Sequence, residues 1–220
     1  MLYDFHSHTF HSDGVLSPLE LIRRAAVKGY TGIAITDHTG PGSMARIIQE
    51  VGADCGLARS RWKVKAIPGV ELTHLPAAAI DEVAAKAKKL GARLVVVHGE
   101  SPVEPVEEGT NLAAARSRHV DILAHPGHMT PEVALEAARN GVFIEITTRR
   151  GHSITNAHVA KTALKAGALM LLNSDTHDED DLLTDTIAGD TLRQAGINGR
   201  QLKEILESNP LKLLQRIGRL

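Results

Sequence analysis

Residues 1–14, MLYDFHSHTFHSDG, carry a short apolar run that ends abruptly in His6, His8, His11 and Asp13. Leu2, Tyr3 and Phe5 predict a strand, and alternate side chains of a strand share a face, so His6 and His8 point together. Asp13 lies in the Ser12-Asp13-Gly14 turn, within reach of the same cavity. Two histidines on one strand are weak evidence of a metal site. The weight comes from recurrence, because strand-like runs ending in His, Asp or Glu return along the whole chain.

Working outward, TGIAITDH (31–38) reads as a buried strand from Gly32 to Thr36 that delivers Asp37 and His38. KVKAIPGVEL (63–72) presents Glu71 near its end, and RLVVVHGE (93–100) ends in His98 and Glu100. VDILAHPG (120–127) delivers His125, VFIEITTRRGH (142–152) is followed by Arg149, Arg150 and His152, and ALMLLNSDTH (168–177) ends in Asp175 and His177. Helical segments separate these runs. Ser17-Pro18 with Glu20 has the form of a capping box, and Thr130-Pro131 opens another helix. Gly29, Gly91, Gly141 and Gly167 mark helix ends, and Asn209-Pro210 is read as the cap and first turn of the last helix. Seven strand–helix units result. Without a Gly-rich dinucleotide fingerprint they favour a closed parallel α/β barrel over an open sheet, in one domain spanning 1–220.

A barrel brings every strand C-terminus to one mouth. His6, His8, Asp13, His38, Glu71, His98, His125, Asp175 and His177 all sit at or just past such ends. Buried carboxylates repel one another and imidazoles need partners, and divalent ions answer both demands. Histidine nitrogen with carboxylate oxygen suits zinc first, then manganese or iron, and nine ligands imply two or three ions. The single cysteine, Cys55, excludes a disulfide framework and a thiolate zinc ribbon. A net charge of −1 and 3% aromatic residues disfavour a nucleic-acid partner. With no signal peptide and no membrane-length apolar run, the expected location is the cytoplasm.

The combination DFHSHTFHSDG, ITDH, GVE, VVVHGE, ILAHPG and NSDTH resembles the polymerase and histidinol phosphatase (PHP) family over nearly the whole chain. That resemblance implies a distorted (β/α)7 barrel with a metal cluster at the strand C-termini. It also implies one ion held by His6, His8, Glu71 and Asp175, and a second shared through Glu71 with His98 and His125. Asp13, His38 and His177 would hold a third. The match is to small stand-alone phosphoesterases, with Glu71, His98, Asp175 and His177 expected to carry catalysis around a metal-activated hydroxide. A small phosphomonoester is the expected substrate, histidinol phosphate among the candidates. A phosphodiesterase or exonuclease acting on nucleotides or short nucleic acids is the alternative, and a non-enzymatic subunit of an RNA-processing particle would not require nine ligands.

Four further residues are expected to touch substrate. Arg149, Arg150 and His152 follow the sixth strand, where a guanidinium can grip phosphate oxygens, and His128 follows the HPG turn. Asp4 shares a strand face with His6 and is expected to orient its ring, and Asp37, although it faces the other way from His38, is the second candidate for such a role. The acidic loop Val103 to Asn111 is expected to cap the site or to select a cationic part of the substrate.

Overall fold

The computed structural model describes residues 1–218. Its strands are β1 (Leu2–Asp4), β2 (Tyr30–Ile35), β3 (His38–Thr39), β4 (Lys65–Leu72), β5 (Leu94–His98), β6 (Ile122–Ala124), β7 (Phe143–Thr147) and β8 (Met170–Asn173). All pairings are parallel, in the order β1-β2-β4-β5-β6-β7-β8, with β3 paired to β4 alone. Seven strands thus form the wall of a nearly closed, distorted (β/α)7 barrel. β3 is an addition to the expected pattern. The β2–β4 ladder ends at Ile35↔Pro68, and the chain pairs again at His38↔Glu71, with Glu71 N–H donating to the Asp37 carbonyl at 3.1 Å. That second pairing brings His38 beside Glu71.

The outer layer comprises α1 (Pro18–Val27), α2 (Met44–Arg61), α3 (Ile80–Lys89), α4 (Thr110–Arg116), α5 (Pro131–Asn140) and α6 (Asn156–Ala166). Ser17 and Thr130 cap α1 and α5 through their side chains, and left-handed Gly141 and Gly167 end α5 and α6. The capping box at α1 is only half made, because the Glu20 carboxylate accepts from Arg24 instead. Helices α7 (Asp185–Gln194), α8 (Gly199–Lys203) and α9 (Asn209–Ile217) complete the chain. Tyr3, Phe5, Ile67, Leu94, Ile122, Phe143 and Leu171 fill the barrel interior, and Leu213 and Ile217 of α9 join that cluster. Asn209 lies inside the helical run rather than capping it, and its Nδ2 donates to the Met170 carbonyl at 2.8 Å.

Between β8 and β1 the wall is sewn largely by side chains. Phe5 N–H donates to Asn173 Oδ1 (3.0 Å), and Ser174 donates to Asp4 through both N–H and hydroxyl. Just beyond, a backbone bridge joins Ser7 to Thr176, with His8 N–H donating to the Thr176 carbonyl at 2.7 Å. Asp4 therefore serves this seam, and its contact with His6 is to the backbone N–H (3.3 Å), not to the ring. Burial pushes the Asp4 carboxyl up to about 7, against hydrogen bonds from Ser174 and His6 that lower it.

Candidate metal centre

The strand C-termini meet as the sequence predicts. His6 and His8 lie in extended chain just past β1, fully buried, with their Nε2 atoms 3.0 Å apart. Asp175 Oδ1 lies 3.0 Å from His8 Nε2 and 3.6 Å from His6 Nε2. Glu71, fully buried on β4, addresses both sides of the group. Its Oε1 is 3.2 Å from His6 Nε2 and 3.7 Å from His125 Nε2, and its Oε2 is 2.6 Å from His38 Nδ1. At the outer edge, Asp13 Oδ2 lies 3.0 Å from His177 Nε2 and 3.6 Å from His38 Nε2.

Among the described residues, four sets of ligand-capable atoms lie mutually within 4.8 Å: His8, Asp13, His38 and His177; His6, His8 and Asp175; His6, Glu71 and His125; and His98, His125 and His152. Every one of the nine residues picked out as ligand candidates falls in these sets, and His152 makes a tenth. Two positions are held on uncommon backbone. His125 and Asp175 have φ of +25° and +56°, conformations that cost of order 1–3 kcal/mol and cluster at functional sites.

Ring orientation fits a cation. The Nδ1 atoms of His98 and His177 lie 3.0 and 2.8 Å from the carbonyls of Gly99 and Asp175, which fixes the proton there and leaves Nε2 free as an acceptor. His6 Nδ1 lies 2.8 Å from Glu145 Oε2, again leaving Nε2 facing the cluster. Glu71 Oε1, His125 Nδ1 and His152 Nδ1 are buried without a hydrogen-bond partner. Two buried imidazole nitrogens 3.0 Å apart, with Asp175 Oδ1 3.0 Å from His8 Nε2 and the Glu71 Oε1 atom left without a hydrogen-bond partner, crowd polar atoms in a way that suits a positive ion better than a purely organic interior.

The electrostatics agree. Burial alone would lower His6, but Glu145, Glu71 and Asp175 outweigh it and hold the ring well above its ordinary value. His38 is likewise raised against its burial, to about 10, by Glu71 and Asp13. His98 and His177 are raised by Glu104 and Asp13, again against burial. Burial lowers His125 and His8 instead. Burial would raise Glu71 and Asp175, yet the surrounding imidazoles keep both well below the usual carboxylate range. The carboxylates thus pull positive charge onto the ring nitrogens.

The expected substrate contacts fare differently. Arg149 Nη1 is bonded to Asp181 Oδ2 at 3.0 Å, the same oxygen that accepts from the His177 backbone N–H. Its guanidinium is thus engaged in holding the loop after β8. Arg150 is exposed, and exposed His128 lays its ring against His158. His152 is buried, its ring centroid 4.2 Å from that of His125. Asp37 accepts from Thr9 N–H, Thr9 hydroxyl and Ser12 hydroxyl, so it braces the His8–Gly14 turn rather than the His38 ring.

Sequence reasoning missed two residues. Glu145, fully buried on β7, takes the orienting role assigned to Asp4 and also accepts from Asn173 Nδ2 and His125 N–H. A charged residue inside the apolar run VFIEIT was the available signal, since such a group is rarely fully buried unless paired. Glu104, in the acidic loop, reaches His98 Nε2 at 3.0 Å.

No helix among the described residues is long and apolar enough to cross a membrane. A sequence profile of the PHP domain matches residues 4–183. The chain is 46% identical to an uncharacterized protein of Methanocaldococcus jannaschii, over 99% of this chain and 100% of that one. It is 30% identical to a protein of Shewanella pealeana named "Probable phosphatase", over 97% of this chain and 91% of that one. The fold is similar to that of histidinol phosphate phosphatase from Lactococcus lactis, solved with zinc, L-histidinol and phosphate. The TM-score is 0.60 at 16% identity, covering 89% of this chain and 94% of that one. The barrel, the imidazole–carboxylate cluster at its mouth and the span of the matching profile lead to one assignment: the chain belongs to the PHP-domain family and is a metal-dependent hydrolase of the phosphoesterase class.

Proposed function

We propose that the protein hydrolyses a small phosphomonoester at a site of two or three divalent ions, zinc first among them. The observation that carries this reading is Glu71, whose two oxygens face different members of the cluster and so suit a carboxylate shared between ions. His6, His8 and Asp175 would hold an ion on one side of it, His98 and His125 on another, and Asp13, His38 and His177 at the outer edge. Ions so held supply Lewis-acid polarisation of a phosphoryl group and lower the pKa of water to about 7.

The chain's own residues orient the site. Glu145 keeps His6 Nε2 turned inward, and the carbonyls of Gly99 and Asp175 do the same for His98 and His177. Asp13 is half-exposed, so the outer edge is the side from which substrate arrives. The surrounding loops favour a small substrate over a polynucleotide. Glu104, Glu107 and Glu108 follow β5, and Asp178, Glu179, Asp180 and Asp181 follow β8, whereas a phosphate backbone calls for a Lys/Arg track. Such a rim suits a phosphate ester that also carries a cationic group, and histidinol phosphate is the first compound to assay.

The test compares hydrolysis of an aryl phosphate and an aryl phosphodiester by zinc- or manganese-loaded protein, beside Glu71→Gln. Faster monoester turnover, lost in the variant while the circular dichroism stays native, is expected. Preference for the diester, or full activity in the variant, would overturn the reading.

A further inference from the structure

We propose that His152 and Glu104 complete a metal seat with His98 and His125, adding a third imidazole and a second carboxylate on that side of the shared Glu71. This rests on the phosphoesterase reading above and extends the ligand set beyond the nine residues legible at the strand ends. Such a donor set suits a first-row transition cation of the zinc type.

Placement is the first argument. His152 is 6% exposed, its ring centroid 4.2 Å from that of His125 and 5.9 Å from that of His98. Its Nδ1 is buried without a partner, as is His125 Nδ1. A buried polar atom left unmade costs about 1–3 kcal/mol, so a ring in this position needs a reason to stay. A substrate contact would ask for exposure, which His152 lacks. Among the described residues the grouping by distance puts His98 with His125 and His152, and Glu104, outside that grouping, borders it at the His98 ring.

Glu104 supplies the second carboxylate. Its Oε2 is 3.0 Å from His98 Nε2 and its Oε1 is 3.8 Å from His152 Nε2, so one carboxylate spans the two rings from the solvent side. The loop that carries it is anchored. Glu100 Oε1 accepts from Gly109 and Asn111 N–H at 3.0 and 2.9 Å, and Val103 lies against Gly151, next to His152. The turn bearing His152 is held in turn by Asn156, whose amide bonds both N–H and C=O of Thr147. Two segments with no ladder between them thus converge on His98.

Zinc content after loading and desalting, zinc affinity by chelator competition, and the visible spectrum of the cobalt-substituted protein test this without reference to turnover. His152→Asn is expected to lose one tightly held equivalent, or to weaken one site about tenfold or more. Glu104→Gln, on a partly exposed loop where folding is not at stake, is expected to weaken the same site by a smaller factor, and both variants to alter the cobalt spectrum. Wild-type stoichiometry, affinity within twofold and an unchanged spectrum in both variants would overturn the proposal while leaving the phosphoesterase reading intact. A wild-type protein that retains no metal would overturn both.

Discussion

Replacing Glu145 with glutamine isolates how the cluster is aimed. Glu145 accepts three hydrogen bonds: from His6 Nδ1 and Asn173 Nδ2 at Oε2, each 2.8 Å, and from His125 N–H at Oε1, 3.3 Å. Glutamine has the same shape but offers one acceptor oxygen and one donor group. If its NH2 faces His6, the ring must take the other tautomer, and Nε2–H then points into the cluster where a lone pair is needed. If its NH2 faces His125 instead, two donors confront each other, leaving a buried N–H unmade at a cost of about 1–3 kcal/mol. The second arrangement keeps His6 correctly turned but removes the negative charge that raises its basicity. Outer partners of metal-ligating histidines are worth about 10–100-fold in affinity, or ~1.4–2.7 kcal/mol. Glu145→Gln is therefore expected to weaken zinc binding by that factor in chelator competition and to lower the melting temperature of the chelator-stripped protein. Zinc affinity within threefold of wild type, in a variant of native dichroism, would refute the orienting role.

Titration and packing give two more tests. With His6, His38, His98 and His177 raised, metal uptake near neutral pH must displace protons, and affinity falls as pH drops. In chelator-stripped protein the stability due to His38 is fully present below 6.5 and is lost as pH rises through about 10. Glu71 and Asp175, held low, contribute stability above their unfolded values of 4.5 and 3.8 that is lost as pH falls through their lower folded ones. Melting curves of stripped protein should thus decline between neutrality and about pH 10, and a rise over that interval would contradict the charge balance described. At Gly99, an added Cβ would stand 2.3 Å from the Ala124 carbonyl oxygen and 2.8 Å from Pro126 Cα, both backbone. Gly99→Ala is expected to cost about 1–3 kcal/mol in denaturant unfolding. Gly52→Ala, in open space inside α2, should instead stabilise by about 0.5–1 kcal/mol, and equal effects would refute the packing argument.

The parts of this molecule legible in its sequence are those governed by short-range periodicity. Alternation placed His6 and His8 on one face, and the strand ends placed the remaining ligand candidates at one mouth. What escaped depends on contacts distant in the chain. Alternation assigned Asp4 to the same face as His6, but the short carboxylate meets Ser174 across the seam first. Arg149 looked available for phosphate until Asp181, brought back by the loop after β8, took its guanidinium. His152 follows β7 by a turn whose length gives no hint that its ring is swung beneath the mouth rather than onto the rim, and Glu104 lies in a loop without periodicity at all. β3 was hidden because a two-residue strand, His38–Thr39, is too short to carry a periodicity of its own.

The seam between β8 and β1 has a consequence for how the chain is held shut. Phe5 and Asn173 meet across 168 residues of sequence, and His6 and His8 stand on one bank while Asp175 and His177 stand on the other. Fastening the ends of so long a loop is worth about 5 kcal/mol by polymer closure scaling. Cations held between those banks would act as a clasp joining the first strand to the last, so that the chemistry of the mouth and the integrity of the cylinder would depend on the same few bonds.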